Sequence, residues 1–246
     1  MSRGADFADL YFQHVKNTSL SLEDGIVNRA GTDVSQGVGV RAVVGDQIGY
    51  AFSENLDLDS MLEAGRTAAT IADSGARVPP QEITLVDLPD RYPLERAWET
   101  VDTAERLPLL QQAEAVIRTM EQAVEKVSVY WSDSDERVLI ATSDGSLAAD
   151  RRPMAILGCG VTALKDGVRQ SNGANFARRV GIDAFDAERI QAICRQAVDR
   201  TMILFEARRP PAGELPVVLA AGASGILLHE AIGHGLEADF NRKGTS

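Results

Sequence analysis

Near the end of the chain, two histidines and a glutamate are crowded into one apolar segment, which runs from His229 to His234 with the sequence HEAIGH. Neutral imidazole is a good zinc ligand, and a carboxylate next to the first histidine can lie beside the open coordination position of the metal and accept a proton from bound water. The segment therefore predicts a hydrolytic zinc site, with His229 and His234 as metal ligands and Glu230 as the catalytic base. The alternative is a core helix that carries one buried and one surface histidine.

The two histidines are five residues apart, whereas the familiar helical zinc motif separates them by four. At about 100° per residue, a four-residue step returns a side chain to within about 40° of its starting direction, but a five-residue step leaves it about 140° away. A regular helix would therefore point His229 and His234 apart. One extra residue accommodated as a π-bulge would bring them together, and Gly233 can tolerate that distortion.

Glu237 and the remaining histidine, His14, are the other residues to consider for this site. Glu237 follows His234 by three residues, so it is either a further ligand, a partner that holds a histidine in place, or a solvated helix residue. The third histidine of the chain, His14, lies in a predicted strand, where we expect a structural role.

The elements before this segment alternate between strands and helices. Short strands are predicted from Leu10 to Phe52 with a hairpin turn at Gly45-Asp46, followed by a helix over Asp59–Ser74 that Gly75 would end. After a proline-rich linker, the apolar residues from Leu107 to Val124 trace one face of an amphipathic helix.

A second strand-rich region, Val127–Val180, has turn signals that favour an antiparallel meander, at Ser143-Asp144-Gly145, Asp166-Gly167 and Asn172-Gly173. A third helix is predicted over Ala187–Ala207, and a strand over Leu215–Ala220 precedes the histidine segment. This order predicts an α+β fold, an antiparallel sheet with packed helices. We place a domain boundary near Pro211, with an N-terminal α+β domain over 1–211 and the start of a second, metal-bearing domain over 212–246.

Composition excludes several classes of protein. A net charge of −11 opposes direct binding of nucleic acid, whose affinity rests largely on Lys and Arg displacing counterions. The longest apolar run, Leu215–Leu228, is interrupted by proline and glycine and is shorter than a membrane span. Cys159 and Cys194 are too few for a disulfide framework, and we expect both to be core or half-buried thiols. With no N-terminal targeting signal, the sequence predicts a cytoplasmic protein.

The segment from His229 to Ser246 resembles the HExxxH region of the TldD/PmbA family of zinc metallopeptidases, formerly named modulators of DNA gyrase. Gly37–Gly45 with Gly49–Phe52, and Thr142–Gly145, resemble the N-terminal domain of the same family. The resemblance covers essentially the whole chain. It implies that His229 and His234 are zinc ligands and that Glu230 is the catalytic carboxylate of a TldD-like subunit.

The resemblance also implies a partner and a substrate. TldD-like subunits form a heterodimer with a TldE/PmbA-like subunit that lacks the motif, and the pair cleaves unfolded or unstructured peptides. Members of the family take a third zinc ligand, a cysteine, from a later C-terminal domain, which Cys159 and Cys194 do not match. We therefore expect the chain as given to be inactive alone. The alternatives are a non-catalytic interaction or dimerisation subunit and direct contact with DNA, which the net charge opposes.

Overall fold

The alternating apolar residues of the first two thirds of the chain form one sheet of seven strands in the computed structural model, which describes residues 5–72 and 81–246. The strands are β1 (Phe7–Glu23), β2 (Ile26–Val44), β3 (Gln47–Ser53), β4 (Thr84–Leu85), β5 (Val124–Thr142), β6 (Ser146–Lys165) and β7 (Val168–Arg178). The strand order is β3-β2-β1-β5-β6, and β4 and β7 both pair with β6. All pairings are antiparallel except the short β4–β6 pair.

Among the described residues, three α-helices accompany this sheet, which confirms the predicted α+β class: α1 (Leu58–Ala72), α2 (Thr103–Met120) and α3 (Ala187–Met202). The predicted end of α1 at Gly75 lies outside the described residues. Helix α2 begins with a capping box between Asp102 and Glu105, which satisfies free backbone N–H groups of its first turn. It ends before Val124, which we predicted on its apolar face, because Glu121 has an extended backbone and β5 begins at Val124.

The helices cover the sheet in two separate core clusters. In the first, α2 and α3 pack on β1, β5, β6 and β7 around large buried side chains, among them Leu22, Leu110, Ile117, Trp131, Phe185 and Ile190. In the second, α1 packs its alanines on β2, through Ala64, Ala68, Ala72, Val38, Val40 and Ala42. A Cβ atom at Gly49 of β3 would lie 1.9 Å from the Ala68 carbonyl oxygen, so only glycine allows α1 to approach this closely.

A buried ion pair lies beside the first cluster. Arg106 of α2 donates from Nε to Asp133 Oδ2 at 2.6 Å and from Nη2 to Asp133 Oδ1 at 2.9 Å, and both residues are almost fully buried. Trp131 Nε1 donates a third hydrogen bond to Asp133, and Arg106 Nη1 donates to the Val101 carbonyl oxygen. The charges are thus paired and hydrogen-bonded, as burial requires.

Three of the four predicted turns form, and the fourth was wrong. Gly45, Gly145 and Gly167 have positive φ angles and lie in tight turns that follow β2, β5 and β6. Asn172-Gly173 instead lies inside β7, paired with β6. A Cβ atom at Gly173 would lie 2.6 Å from the Cys159 carbonyl oxygen, so this glycine serves close strand approach and not a turn.

The chain divides into two compact units, Met1–Ala207 and Arg208–Ser246. The second contains α4 (Ser224–Leu228), a π-helical turn (His229–Gly233), a short 3₁₀ turn (His234–Leu236) and α5 (Ala238–Lys243). The predicted strand over Leu215–Ala220 was wrong, because no strand among the described residues pairs with this segment. The predicted helix over Ala187–Ala207 is α-helical to Met202 and 3₁₀ to Glu206.

The boundary at Pro211, with domains over 1–211 and 212–246, stays a prediction. Among the described residues, the structure has no helix with the length and apolar character needed to cross a membrane.

Candidate metal centre

The five-residue spacing of the two histidines is resolved by a change of helix type. After α4 the backbone widens into the π-helical turn, in which the N–H of His234 donates to the carbonyl oxygen of His229, five residues earlier. This hydrogen-bonding pattern adds a residue to the turn, so residues five apart return to the same side. The two imidazole rings consequently lie with their centroids 4.5 Å apart, in an edge-to-face arrangement.

The widened turn also brings Glu230 to the histidines. One ligand atom from each of His229, Glu230 and His234 lies within 4.8 Å of the other two, and Glu230 Oε2 is 3.4 Å from His234 Nε2. Gly233 leaves room for this cluster, because a Cβ atom there would lie 3.3 Å from His229 Nδ1. Two imidazoles and a carboxylate are a donor set that suits zinc, and the carboxylate lies where it could act on a metal-bound water.

Glu237 holds one of the two histidines. Its Oε1 atom lies 2.6 Å from His234 Nδ1, and the residue stands at the N-terminal end of α5. A carboxylate that accepts from Nδ1 fixes the ring and leaves Nε2 free for a metal. Of the three roles considered for Glu237, this hydrogen bond favours the partner that holds a histidine.

The cluster lies on the surface of the second unit. The side chains of Glu230, His234 and Glu237 are 61%, 52% and 54% exposed. Apolar residues of the same segment are also exposed, namely Ile226, Leu227, Leu228 and Ile232. Within residues 208–246 there is no cysteine, so the second unit alone supplies two histidines and acidic groups toward the four donors that zinc favours.

The two cysteines are buried in the first unit, as we expected of core thiols. Cys159 lies on β6, Cys194 lies on α3, and the Cys194 thiol donates to the Ala113 carbonyl oxygen at 3.4 Å. Its hydrogen bond with Cys159 and its burial raise the pKa of Cys194 above the ordinary value for a thiol. Because zinc binds the thiolate, this environment does not favour Cys194 as a ligand. His14 lies in β1 as predicted, with an exposed side chain.

Sequence reasoning missed the buried Arg106–Asp133 pair of the first unit. Asp133 does fall in the inward-facing register of β5, two residues after Trp131. An acidic residue in such a row signals a buried partner, but the partner lies 27 residues away along the chain and the sequence does not identify it.

An α+β unit followed by a histidine–glutamate cluster on a helical turn agrees with a class of protein, the metallopeptidases, to which the family comparisons assign this chain. Residues 8–72 match PmbA/TldA metallopeptidase domain 1, and residues 96–205 match the PmbA/TldA metallopeptidase central domain. The chain belongs to the TldD/PmbA family of metallopeptidases.

Named relatives agree with this assignment. The chain is 37% identical over 251 residues to a Haemophilus influenzae protein named metalloprotease TldD homolog, with 99% of this chain and 52% of that protein covered. It is 24% identical over 257 residues to a Saccharolobus solfataricus protein named zinc metalloprotease TldD homolog, with 98% and 53% covered. The chain thus spans about half the length of the curated relatives it matches.

Solved structures show the same fold. A Thermotoga maritima protein described as a modulator of a DNA gyrase superimposes with a TM-score of 0.68 at 14% identity, covering 84% of this chain and 46% of that one. TldE from Thermococcus kodakarensis superimposes with a TM-score of 0.57 at 16% identity, covering 80% and 44%.

Proposed function

We propose that this chain is the zinc-binding, catalytic subunit of a peptidase that hydrolyses unfolded or unstructured peptides. The observation that carries the proposal is the π-helical turn, which brings His229, Glu230 and His234 to within 4.8 Å of one another despite the five-residue spacing. The relative named as a zinc metalloprotease supports the choice of metal.

Each residue has a separate role in this proposal. His229 and His234 would hold the zinc, and Glu237 would keep the His234 ring oriented through Nδ1. Bound zinc would supply Lewis-acid polarisation and make its water easier to deprotonate. Glu230 would accept the proton of the attacking water, whose hydroxide adds to the carbonyl carbon, and would pass that proton to the amine that leaves as the C–N bond breaks. The distance of 3.4 Å between Glu230 Oε2 and His234 Nε2 supports a role for Glu230 beside the proposed metal position.

The second unit does not complete the site by itself. Two imidazoles are half of a tetrahedral shell, so we propose that a further ligand comes from outside residues 208–246 and that the chain over 1–246 is inactive alone. The structural likeness to a TldE protein supports a partner subunit of that type. We propose no direct contact of this chain with nucleic acid or with a membrane. The two free, buried cysteines are consistent with a cytoplasmic location.

The test compares the 1–246 chain with the complete product of its gene, each with and without a TldE-like partner. Zinc is counted by inductively coupled plasma mass spectrometry, and cleavage of an unstructured peptide is followed by liquid chromatography. We expect stoichiometric zinc and cleavage only with the complete product. Stoichiometric zinc with cleavage from the 1–246 chain would contradict the need for an outside ligand. A complete product without zinc would favour the non-catalytic interaction subunit.

A further inference from the structure

Two glycines of β2, Gly37 and Gly39, form the floor of a groove on the sheet face opposite α1. Val38 between them points into the core beneath α1, so the two glycines face the other side of the sheet. An added Cβ atom at Gly37 would lie 2.9 Å from the Ser53 carbonyl oxygen, and one at Gly39 would lie 2.8 Å from Tyr50 Oη. A larger residue at either position would therefore intrude into the groove, which has a volume of about 320 Å³.

Aromatic side chains border this floor on three sides. Gly39 pairs with Tyr11 of β1 on one side and with Phe52 of β3 on the other. Tyr50 lies two residues before Phe52, so it is on the same face of the sheet, and it reaches over Gly39. Tyr50 is 58% exposed and Phe52 is 69% exposed. The three rings thus surround a strip of bare backbone and are accessible to a ligand.

The groove also carries negative charge. Among the described residues that line it, the charged one is Glu54, and no ion pair within the described part of the chain includes this carboxylate. A second carboxylate lies next to the groove, because Gln13 of the lining donates from Nε2 to Glu136 Oε1 at 2.5 Å. A ligand in the groove would therefore meet aromatic rings and at least one carboxylate without a cation partner.

Two arginines lie beside the groove, and each already has a carboxylate partner. Arg41 donates from Nε to Asp9 Oδ2 at 2.8 Å. Arg152 donates from Nε to Asp150 Oδ2 at 2.8 Å, and its Nη1 lies 3.4 Å from Tyr11 Oη. These two cations are thus balanced by their own carboxylates, and the negative charge of the groove remains.

Aromatic rings and a carboxylate together favour an organic cation. The faces of aromatic rings attract cations, and a guanidinium group can stack on a ring while it pairs with a carboxylate through two parallel hydrogen bonds. An anionic ligand would be repelled, and the net charge of −11 adds to the attraction of basic ligands. Pockets for small ligands span about 300 to 1,000 Å³, so a groove at the lower end of this range suits one side chain.

We propose that this groove binds an arginine side chain of an unstructured peptide and so holds the peptide on the first unit. The guanidinium group packs against the rings of Tyr50 and Phe52 and pairs with Glu54. The choice of an unstructured peptide rests on the proposed function, whereas the choice of a guanidinium group rests on the groove alone.

The test measures peptide binding to the complete protein carrying Glu230→Gln, so that a bound peptide stays intact. The probe is a short Gly/Ser peptide with blocked termini and one arginine. Its control contains citrulline, which keeps the shape of arginine but has no charge. We expect the citrulline peptide to bind about 10-fold more weakly in isothermal titration calorimetry.

Variants of the groove locate the binding site. Glu54→Gln should weaken binding of the arginine peptide by about 5-fold and Phe52→Leu by about 3-fold, because each removes one attraction for the cation. Glu54→Gln should leave binding of the citrulline peptide unchanged. The matched controls are Glu188→Gln at the exposed start of α3 and Tyr130→Leu, which removes an exposed ring of β5, and both should bind like the parent. Circular dichroism checks the fold of each variant.

Several results would overturn the proposal. One is equal affinity for the arginine and citrulline peptides, and another is parent-like binding by both groove variants. A complete protein that does not bind the arginine peptide, as when another domain or subunit covers the groove, would overturn it as well. If the parent protein without Glu230→Gln binds the arginine peptide through Glu54 but cleaves no peptide, the proposed peptidase activity is wrong and the groove assignment stands.

Discussion

The first unit, Met1–Ala207, and the second, Arg208–Ser246, acquire their structure by different means. The first depends on strand pairings between distant residues and on two buried core clusters. In the second, no residue is buried, yet the side chains that could perform chemistry are already close together. The π-helical turn, with its hydrogen bond from the His234 N–H to the His229 carbonyl oxygen, brings them together without a core. The difference teaches that local backbone geometry can bring together the side chains of a candidate site, whereas the sheet and its cores require contacts between residues distant along the chain.

The largest expected effect concerns the histidine–glutamate cluster of the second unit. In the complete protein, His229→Ala or His234→Ala should each remove most of the bound zinc and with it the peptidase activity, because one of few protein ligands is lost. The melting temperature of the first unit should stay the same, since its core clusters contain neither histidine. His14→Ala is the matched control and should keep full zinc content. Metal analysis beside thermal unfolding measures both, and full zinc occupancy in both cluster variants would refute the assignment.

The next effect concerns the buried Arg106–Asp133 ion pair of the first unit. Arg106→Leu leaves Asp133 buried without its cation, and breaking a buried pair in this way typically costs about 3–5 kcal/mol of unfolding free energy. Chemical denaturation monitored by the fluorescence of the two buried tryptophans, Trp98 and Trp131, measures the loss. Arg96→Leu removes the exposed pair with Glu105 and should cause a far smaller decrease. Equal destabilisation by the two variants would show that burial does not set the energy of these pairs.

A smaller effect separates metal binding from proton transfer within the second unit. Glu230→Gln keeps the side-chain shape but cannot accept a proton, so zinc should remain bound while peptide hydrolysis falls by about 10²-fold. Assays of zinc content and of initial cleavage rate on the same preparation give both numbers. If the variant cleaves at the parent rate, Glu230 is not the base.

The smallest effect concerns the orientation of one ring. Glu237→Ala removes the carboxylate that lies 2.6 Å from His234 Nδ1, and loss of such a partner typically weakens metal binding by about 10- to 100-fold. Competition with a zinc chelator measures the affinity. Glu237→Gln retains an oxygen that can accept the Nδ1–H bond, so it should recover part of the loss. Identical affinities for the parent and Glu237→Ala would show that the hydrogen bond has no role in holding the metal.

The sequence predicted the features that depend on residues close together along the chain. The turns at Gly45, Gly145 and Gly167 follow from residues that tolerate positive φ, and the π-helical turn follows from the helical angle between His229 and His234. Whether these residues bind metal stays a prediction. The strands proved longer than expected, because their length depends on neighbours that a local pattern does not reveal.

Two errors have the same physical origin. Residues 215–220 have the composition of a strand but no strand to pair with in the described part of the chain, and strand formation needs such a partner. Gly173 has the local surroundings of a turn, but it allows the backbones of β6 and β7 to come close. In both cases the structure is decided by whether a partner strand lies alongside the segment. The sequence of the segment itself does not show whether such a partner is present.

The π-helical turn also allows this cluster to tolerate the deletion of one residue. Deleting Ala231 would shorten the interval between the histidines to four residues, and a regular α-helical turn brings residues four apart to within about 40° of the same direction. The two imidazoles would still converge, Glu230 would still follow the first, and Glu237 would keep its spacing from the second. An in-frame loss of one codon would therefore preserve the ligand geometry while rotating α5 relative to α4. A four-residue spacing on an α-helical turn and a five-residue spacing on a π-helical turn therefore differ by one residue and bring the two histidines to similar positions.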